Sequence, residues 1–374
     1  MPYRIHLVAG ARPNFMKVGP LYHVLRARTW AKPILVHTGQ HYDPEMSEVF
    51  LRDLGLPPPD HVLHCRETGH AGQTAAVMVS YERLCLAEPP DFVVVVGDVN
   101  STLAAALVAV KLGLPVGHLE AGLRSWDRTM PEEINRVVTD RIAHLLWTPS
   151  PDADDNLRRE GVPEDALCRV GNIMIDAFER LRPRIAAAGT PARLGLAGRA
   201  YGVVTLHRPH NVDDPARLAA LLAALARVAT QLPLVFPLHP RTRRALAAAG
   251  LEPLLADARI QTVEPLGYVA FLGLVQAARL VITDSGGIQE ETSYLGIPCL
   301  TLRQSTERPI TLTLGTNRLV TPDQLSEAVA GVLAVPMPAV PVIPLWDGRT
   351  AERVADRLEV FLTVLPDLPK PTQR

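Results

Sequence analysis

The feature that most limits what this chain can fold into is an alternation that runs along it twice. Short apolar, β-branched runs alternate with longer amphipathic segments rich in Ala and Leu, the pattern of repeated βαβ units around a parallel sheet. In the first half, strands are expected at Arg4–Ala9, Lys32–His37, Phe92–Gly97, Pro115–His118 and Leu145–Thr148, and helices at Pro20–Ala27, Pro44–Leu51, His70–Ala87 and Thr102–Lys111. The run Phe92-Val93-Val94-Val95-Val96 is apolar at every position, as a strand covered on both faces requires. The series then restarts, with strands at Tyr201–Thr205, Leu234–Pro237, Ile260–Thr262, Leu280–Thr283 and Cys299–Leu302. Its helices fit Pro215–Gln231, Arg241–Ala249, Tyr268–Ala277, Gly287–Leu295 and Pro322–Ala330. Two such series in 374 residues predict an α/β chain with two Rossmann-like, doubly wound parallel-sheet domains, over residues 1–180 and 181–348. The link between them is expected in the Arg/Pro/Ala/Gly-rich stretch Arg180–Arg199. A last helix, about 349–365, follows a Pro-rich segment and is expected to pack back on the first domain.

Composition narrows the partners. The formal net charge is −1, and the 38 Lys and Arg residues are scattered, which argues against a nucleic-acid backbone and leaves room for a small anion. Cys65, Cys85, Cys168 and Cys299 lie far apart beside apolar sequence and read as buried thiols in a reducing cytoplasm. No run is apolar for long enough to span a bilayer, and the N-terminus has no signal-peptide core, so no membrane association is expected.

The polar residues that leave the strands carry the chemistry, because open parallel sheets bind ligands at the carboxyl ends of their strands. Gly10-Ala11-Arg12-Pro13-Asn14-Phe15-Met16-Lys17 leaves the first strand with two cations and a single glycine, so it is not a dinucleotide fingerprint. It reads as an anion-facing loop or as a turn with solvated Arg12 and Lys17. Asp98 leaves another strand; Asn100 or Ser101 is the better helix cap, which frees Asp98 for the crevice. Glu120 ends the next strand, and Glu132 and Glu133 open a helix after Pro131, where the helix dipole already favours acids. Asp98, Glu120 and the Glu132 region map to one sheet edge, and crowded carboxylates raise one another's pKa values, which suits acid and base duties.

In the second half, His207-Arg208 and His239 leave neighbouring strands and fit an anion clamp; the HxxH spacing of His207 and His210 is weak support for a metal, and none is expected. The sharpest local signal is Leu280-Val281-Ile282-Thr283-Asp284-Ser285-Gly286-Gly287-Ile288-Gln289-Glu290-Glu291. It reads strand, turn, helix start, with unpaired amides and a helix dipole suited to phosphate. Glu291, one turn on, is placed for ribose hydroxyls. Arg308 supplies a further cation, and Phe271 fits a wall for a base ring and ordinary core equally well.

Taken together, GARPNFMKVGPL, TGQHYD, VVGDVNST, PVGHLEAGLRS, PEEINR, GNIMIDA, LHRPHNVDD, TDSGGIQEE, TERP and LWDGRTAER resemble, in order and spacing, the non-hydrolysing UDP-N-acetylglucosamine 2-epimerase family. The resemblance runs almost end to end. It implies a GT-B fold with a cleft between two Rossmann-like domains, a homodimer, and reversible interconversion of UDP-GlcNAc and UDP-ManNAc without cofactor or metal. The reaction it implies is anti elimination of UDP to a 2-acetamidoglucal, then re-addition, with the product serving cell-surface polysaccharide synthesis. By the same resemblance Arg12, Lys17, Ser285, Gly286, Gly287 and Arg308 hold the diphosphate, and His207 supports the leaving group. Glu291 binds ribose, Phe271 packs by the uracil, and Asp98, Glu120 and Glu132 form the acid/base set, with no assignment of which is the base. Arg136, Arg208 and His239 are additional contacts.

Three departures stand out. Leu266 replaces a Gln that binds nucleotide in some members, and His210 stands where relatives carry Glu. The segment Gln40–Met46 is longer than the compact TxQHxxM of substrate-activated bacterial members, which predicts an altered or absent allosteric site. Rival readings are a hydrolysing 2-epimerase, a GT-B glycosyltransferase and a non-catalytic nucleotide-sugar sensor.

Overall fold

A computed structural model describes residues 1–39, 51–256 and 259–364. The chain forms two compact units, Met1–Arg180 with Pro344–Arg374, and Leu181–Ile343. The first holds a seven-stranded sheet in the order β3-β2-β1-β4-β5-β6-β7. Its strands are β1 (Tyr3–Ala9), β2 (Ala31–His37), β3 (His61–Val62), β4 (Phe92–Val96), β5 (Val116–Leu119), β6 (Leu145–Thr148) and β7 (Leu167–Arg169). The second holds a six-stranded sheet in the order β10-β9-β8-β11-β12-β13. These strands are β8 (Gly202–Thr205), β9 (Leu234–Pro237), β10 (Ile260–Val263), β11 (Leu280–Thr283), β12 (Cys299–Thr301) and β13 (Asn317–Leu319). Every pairing is parallel.

The period-2 rule explains why the central strands are largely apolar at successive positions. In the second unit Val203, Val235 and Val281 face one way onto Tyr201, Leu274 and Val275. Their chain neighbours Val204, Phe236 and Ile282 face the other way onto Leu221, Leu222 and Leu225 of helix Pro215–Ala229. These three strands are thus covered on both faces, as a parallel sheet needs. Truncating a residue such as Leu225 to Ala would cost about 2–5 kcal/mol. In the first unit the final helix, Thr350–Val364, is tied back by Phe361 against Phe92 at 5.5 Å and by the Tyr3 hydroxyl, which donates to the Leu362 carbonyl at 3.2 Å.

The structure corrects several local expectations. The first helix is Arg12–Arg26, not Pro20–Ala27: Pro13 occupies its first turn, and Pro20 removes one internal hydrogen bond without ending it. Neither Asn100 nor Ser101 caps the helix Asn100–Lys111; both lie inside its first turn, and Val99 is the cap position. The linker expected at Arg180–Arg199 is in part helix Ile173–Ala187, and the chain passes from one unit to the other inside it. Of the four thiols, Cys65, Cys85 and Cys299 are buried, whereas Cys168 is half-buried on an edge strand. The expected helix Pro44–Leu51 and the segment Gln40–Met46 lie outside the described residues, apart from Leu51.

Candidate functional site

In the first unit, β1, β4 and β5 end side by side, and the polar residues of interest leave from these ends. Asn14 joins two of them: its Oδ1 accepts from the amides of Gly10 and Ala11 at 3.1 and 2.9 Å, and its Nδ2 donates to the Val96 carbonyl at 3.1 Å. Lys17 is one helical turn further on. Its ammonium is not solvated, and in this structure it is engaged by a carboxylate: Nζ donates to Glu120 Oε1 at 2.7 Å, with both side chains buried. The two groups meet over Gly97, which has φ of +64° and where a Cβ would lie 2.7 Å from Lys17 Nζ. Only glycine leaves room for that ion pair in that backbone conformation. The side chain of Arg12 lies outside the described residues.

Glu120 itself has φ of +75°. A left-handed, non-glycine residue costs on the order of 1–2 kcal/mol, and such residues cluster at functional sites. The turn is held from below. His118 bonds Asp140 Oδ1 through Nδ1 at 2.6 Å and the Gly97 carbonyl through Nε2 at 2.8 Å, all fully or almost fully buried. Burial opposes ionisation of Asp140, but His118 and Arg124 outweigh it and hold the carboxyl below its ordinary range. Asp98, beside Gly97, accepts from Arg136 Nη2 at 2.5 Å. Glu132 is half-buried in the first turn of helix Pro131–Ile142. Its neighbour Glu133 is buried and occupied by the amides of Ser125 and Trp126 and by Arg136. These donors overcome the effect of burial and keep Glu133 below the usual carboxylate range. Asp98 and Glu120 are therefore each ion-paired, with Arg136 and Lys17.

In the second unit the equivalent strand ends, β8 and β11, are joined by Asp284, which is fully buried. Its carboxylate accepts from the amides of His207 and Arg208 at 3.0 and 2.9 Å, from Asn211 Nδ2 at 3.2 Å, and pairs with His207 Nδ1 at 2.9 Å. Burial opposes the charge, yet these contacts hold the Asp284 carboxyl below its usual value. The His207 ring is thereby fixed through Nδ1, 5.3 Å from the ring of His239, which itself caps helix Pro240–Ala249. His210 is exposed.

Ser285 is the cap position of helix Gly286–Leu295 and has no side-chain cap, so the first amides of that helix keep their capacity for an anion. Gly287 faces open space, whereas a Cβ on Gly286 would lie 2.7 Å from Arg308 Nη1. Arg308 is consequently seated against the helix start, hydrogen-bonded to Glu307 at 2.8 Å and ion-paired with Glu290 at 3.0 Å. Glu307 also receives Arg303 at 2.7 Å and Arg208 at 3.4 Å. Burial resists the charge on Glu307, but the three guanidiniums hold it far below its ordinary range. Arg208 is pushed down from the usual guanidinium value, first by burial and next by Arg303. Three guanidiniums thus converge on Glu307 next to the start of helix Gly286–Leu295, an arrangement that can draw an incoming anion.

Glu291 is buried and accepts from the Tyr268 hydroxyl at 2.6 Å. Burial pushes its pKa up to about 7; the Tyr268 bond opposes the shift and Glu290 adds to it. Phe271 and Leu266 are half-buried against the Tyr201–Val281 core face. The residues that spacing did not single out are Asn14, His118, Asp140, Asp284, Arg303 and Tyr268. The signal available for Asp284 was its place directly after the strand Leu280–Thr283.

A family model described as UDP-N-acetylglucosamine 2-epimerase matches residues 23–359. A UDP-N-acetylglucosamine 2-epimerase of Methanococcus maripaludis is 41% identical over 329 residues, 86% of this chain and 88% of the relative. A UDP-2,3-diacetamido-2,3-dideoxy-D-glucuronate 2-epimerase of Pseudomonas aeruginosa is 41% identical over 321 residues, 85% of this chain and 88% of the relative. Among solved structures, the Methanocaldococcus jannaschii UDP-GlcNAc 2-epimerase in complex with UDP-GlcNAc and UDP is 37% identical. It covers 96% of this chain and 99% of its own, with a TM-score of 0.86. The two parallel sheets are those of a GT-B-type α/β fold, and the chain belongs to the UDP-N-acetylglucosamine 2-epimerase family.

Proposed function

We propose that this chain inverts C2 of a UDP-N-acetylhexosamine, interconverting UDP-GlcNAc and UDP-ManNAc without net hydrolysis. The observation that carries this reading is the placement of two ion-paired carboxylates, Asp98 and Glu120, at neighbouring strand ends of the first unit. A sugar C2–H has no adjacent carbonyl to acidify it, so proton removal must be coupled to departure of a good leaving group. UDP leaves C1 with the bonding electron pair, and the C2 proton passes to a carboxylate. The C1=C2 bond of a 2-acetamidoglucal forms. Protonation of C2 from the opposite face and return of UDP to C1 complete the inversion. In this reading the first unit carries the acid/base set Asp98, Glu120 and Glu132. The second receives the diphosphate at Ser285–Gly287 with Arg308, Arg208 and Arg303, while Nδ1-anchored His207 faces the leaving group. Glu291 exchanges its Tyr268 hydrogen bond for ribose hydroxyls. Lys17 acts through Glu120. The family resemblance supports a homodimer and a cytoplasmic setting, and sedimentation of the purified chain tests the former.

Incubation with UDP-GlcNAc in deuterated water, followed by NMR at C2, tests the reaction. Deuterium at C2 of both epimers without lasting free sugar is expected; absence of exchange overturns the reading, and accumulation of free ManNAc with UDP selects the hydrolysing reaction instead. The equal identity to the Pseudomonas enzyme favours a second substrate reading, a diacetamido uronate sugar on the same nucleotide. Running both UDP-sugars side by side and comparing kcat/KM decides between them.

A further inference from the structure

Asp98 is gripped from two sides by consecutive residues of one helix. Asn135 Nδ2 donates to its main-chain carbonyl at 2.9 Å, while Arg136 Nη2 takes its carboxylate at 2.5 Å. Both residues are buried. Asn135 Nδ2 also reaches Asn100 Oδ1 at 3.1 Å, so the turn after β4 is tied to helix Pro131–Ile142 at either end of Asp98–Asn100. The other arm of Arg136, Nη1, donates to Glu133 Oε2 at 2.8 Å. Glu133 in turn accepts from the amide and hydroxyl of Ser125 at 2.9 and 3.0 Å and from the Trp126 amide at 2.9 Å. With both oxygens so occupied, Glu133 is badly placed to carry a proton. It clamps a turn in which Trp126 has φ of +59°.

We propose that Arg136 and Glu133 are positioning residues: Arg136 orients Asp98, and Glu133 fixes Arg136 together with the Ser125–Trp126 turn. The inference deepens the epimerase reading and rests on it for its kinetic consequences. Holding a reacting group by a fork that is itself anchored prepays the cost of orientation, and an error of about 1 Å in such a group costs on the order of 100-fold. Among the described residues, the charged and titratable groups around the Asp98 turn include Arg136 and Glu133 from their helix, Lys17 from helix Arg12–Arg26, and Glu120 and His118 from the end of β5. His70, from helix His70–Ala87, reaches the turn through Asn100.

The test compares wild type with Arg136→Gln, Arg136→Lys and Glu133→Gln in the C2 exchange assay, with UDP affinity measured alongside. Arg136→Gln is expected to lower kcat by roughly 100-fold with KM within about threefold. Its pH–kcat limb governed by Asp98 should move to higher pH, because a carboxylate that loses its cation is easier to protonate. Arg136→Lys should restore the limb but not the full kcat, since an ammonium cannot bridge both carboxylates in a fixed fork. Glu133→Gln should fall between wild type and Arg136→Gln. Independently of turnover, hydrogen exchange of residues 123–133 should speed up in Glu133→Gln and Arg136→Gln. Unchanged exchange in that segment, or an Arg136→Gln enzyme with wild-type kcat and limbs, overturns the proposal. A wild-type protein without C2 exchange overturns the epimerase reading instead, and the hydrogen-exchange arm still judges the clamp. Should Arg136→Gln fail to fold, Arg136→Lys and Glu133→Gln carry the same comparison.

Discussion

The two units share a strand order but differ in how charge is arranged at equivalent strand ends. In the first, the ends of β4 and β5 carry carboxylates that each meet one cation, Glu120 with Lys17 and Asp98 with Arg136. In the second, three cations converge: Arg208, Arg303 and Arg308 gather on Glu307, Arg308 also reaches Glu290, and the carboxylate of Asp284 accepts from the Arg208 amide. One balance suits groups that must gain and lose a proton without carrying a large field. The other suits an incoming polyanion, and the start of helix Gly286–Leu295 adds its dipole to the same end. The scaffold is common to both; the way cations are grouped at the strand ends sets what each can bind.

That contrast can be broken most directly in the first unit. Replacing Glu120 with Gln, or Asp98 with Asn, should reduce C2 deuterium exchange by about 1,000-fold or more while UDP affinity, by calorimetry, stays within about threefold. Loss of UDP binding in either variant would mean that the division of labour is wrong. Second in size is Lys17→Met. It leaves Glu120 buried without its ammonium, and urea unfolding of the first unit should show a loss of about 3–5 kcal/mol. A Lys17→Met protein of unchanged stability would show that the pair is not a buried one.

The third prediction concerns pH and the second unit. Glu291 has a folded pKa of about 7, above the ordinary glutamate value, so the folded state binds a proton that the unfolded chain has released. Its stability is therefore fullest below the unfolded pKa and declines as pH rises through about 7, by up to roughly 3 kcal/mol. Glu291→Gln removes the ionisable group, and its melting temperature should lose that slope and exceed wild type at pH 8. Parallel melting profiles from pH 5 to 8 would contradict it. The smallest effect is expected for Arg308→Ala, a 10- to 100-fold weaker UDP affinity, roughly the worth of one charged hydrogen-bonding group. An equal loss of affinity in Lys17→Met would erase the distinction between the units.

Ten strands were legible in the amino-acid sequence because most are short, largely apolar runs between turn signals, and each lies within one residue of its expected ends. β3, β7 and β13 were not. They are edge strands of two or three residues, too short to show a period. Asp98, Glu120 and Ser285 could be placed at strand ends by counting. Their partners could not, because Lys17 and Glu120 are 103 residues apart and nothing local to either announces the other. Lys17 therefore read as a solvated or phosphate-facing cation. Arg303 and Asp284 escaped for the same reason: their meaning lies in a convergence of loops, which only tertiary structure creates. Arg136 was visible as a nearby cation, but its two-handed grip on Asp98 and Glu133 was not.

The left-handed backbone at Glu120 has an evolutionary reading. Exchanging Glu120 for Gly and Lys17 for Met together would relax the turn and withdraw two opposite charges from the interior, and buried ion pairs replaced by apolar groups often yield a sturdier protein. Drift under selection for folding alone would run toward such a pair of substitutions. The turn after β5 therefore marks a place where the pull toward a sturdier fold and the demands of chemistry oppose each other.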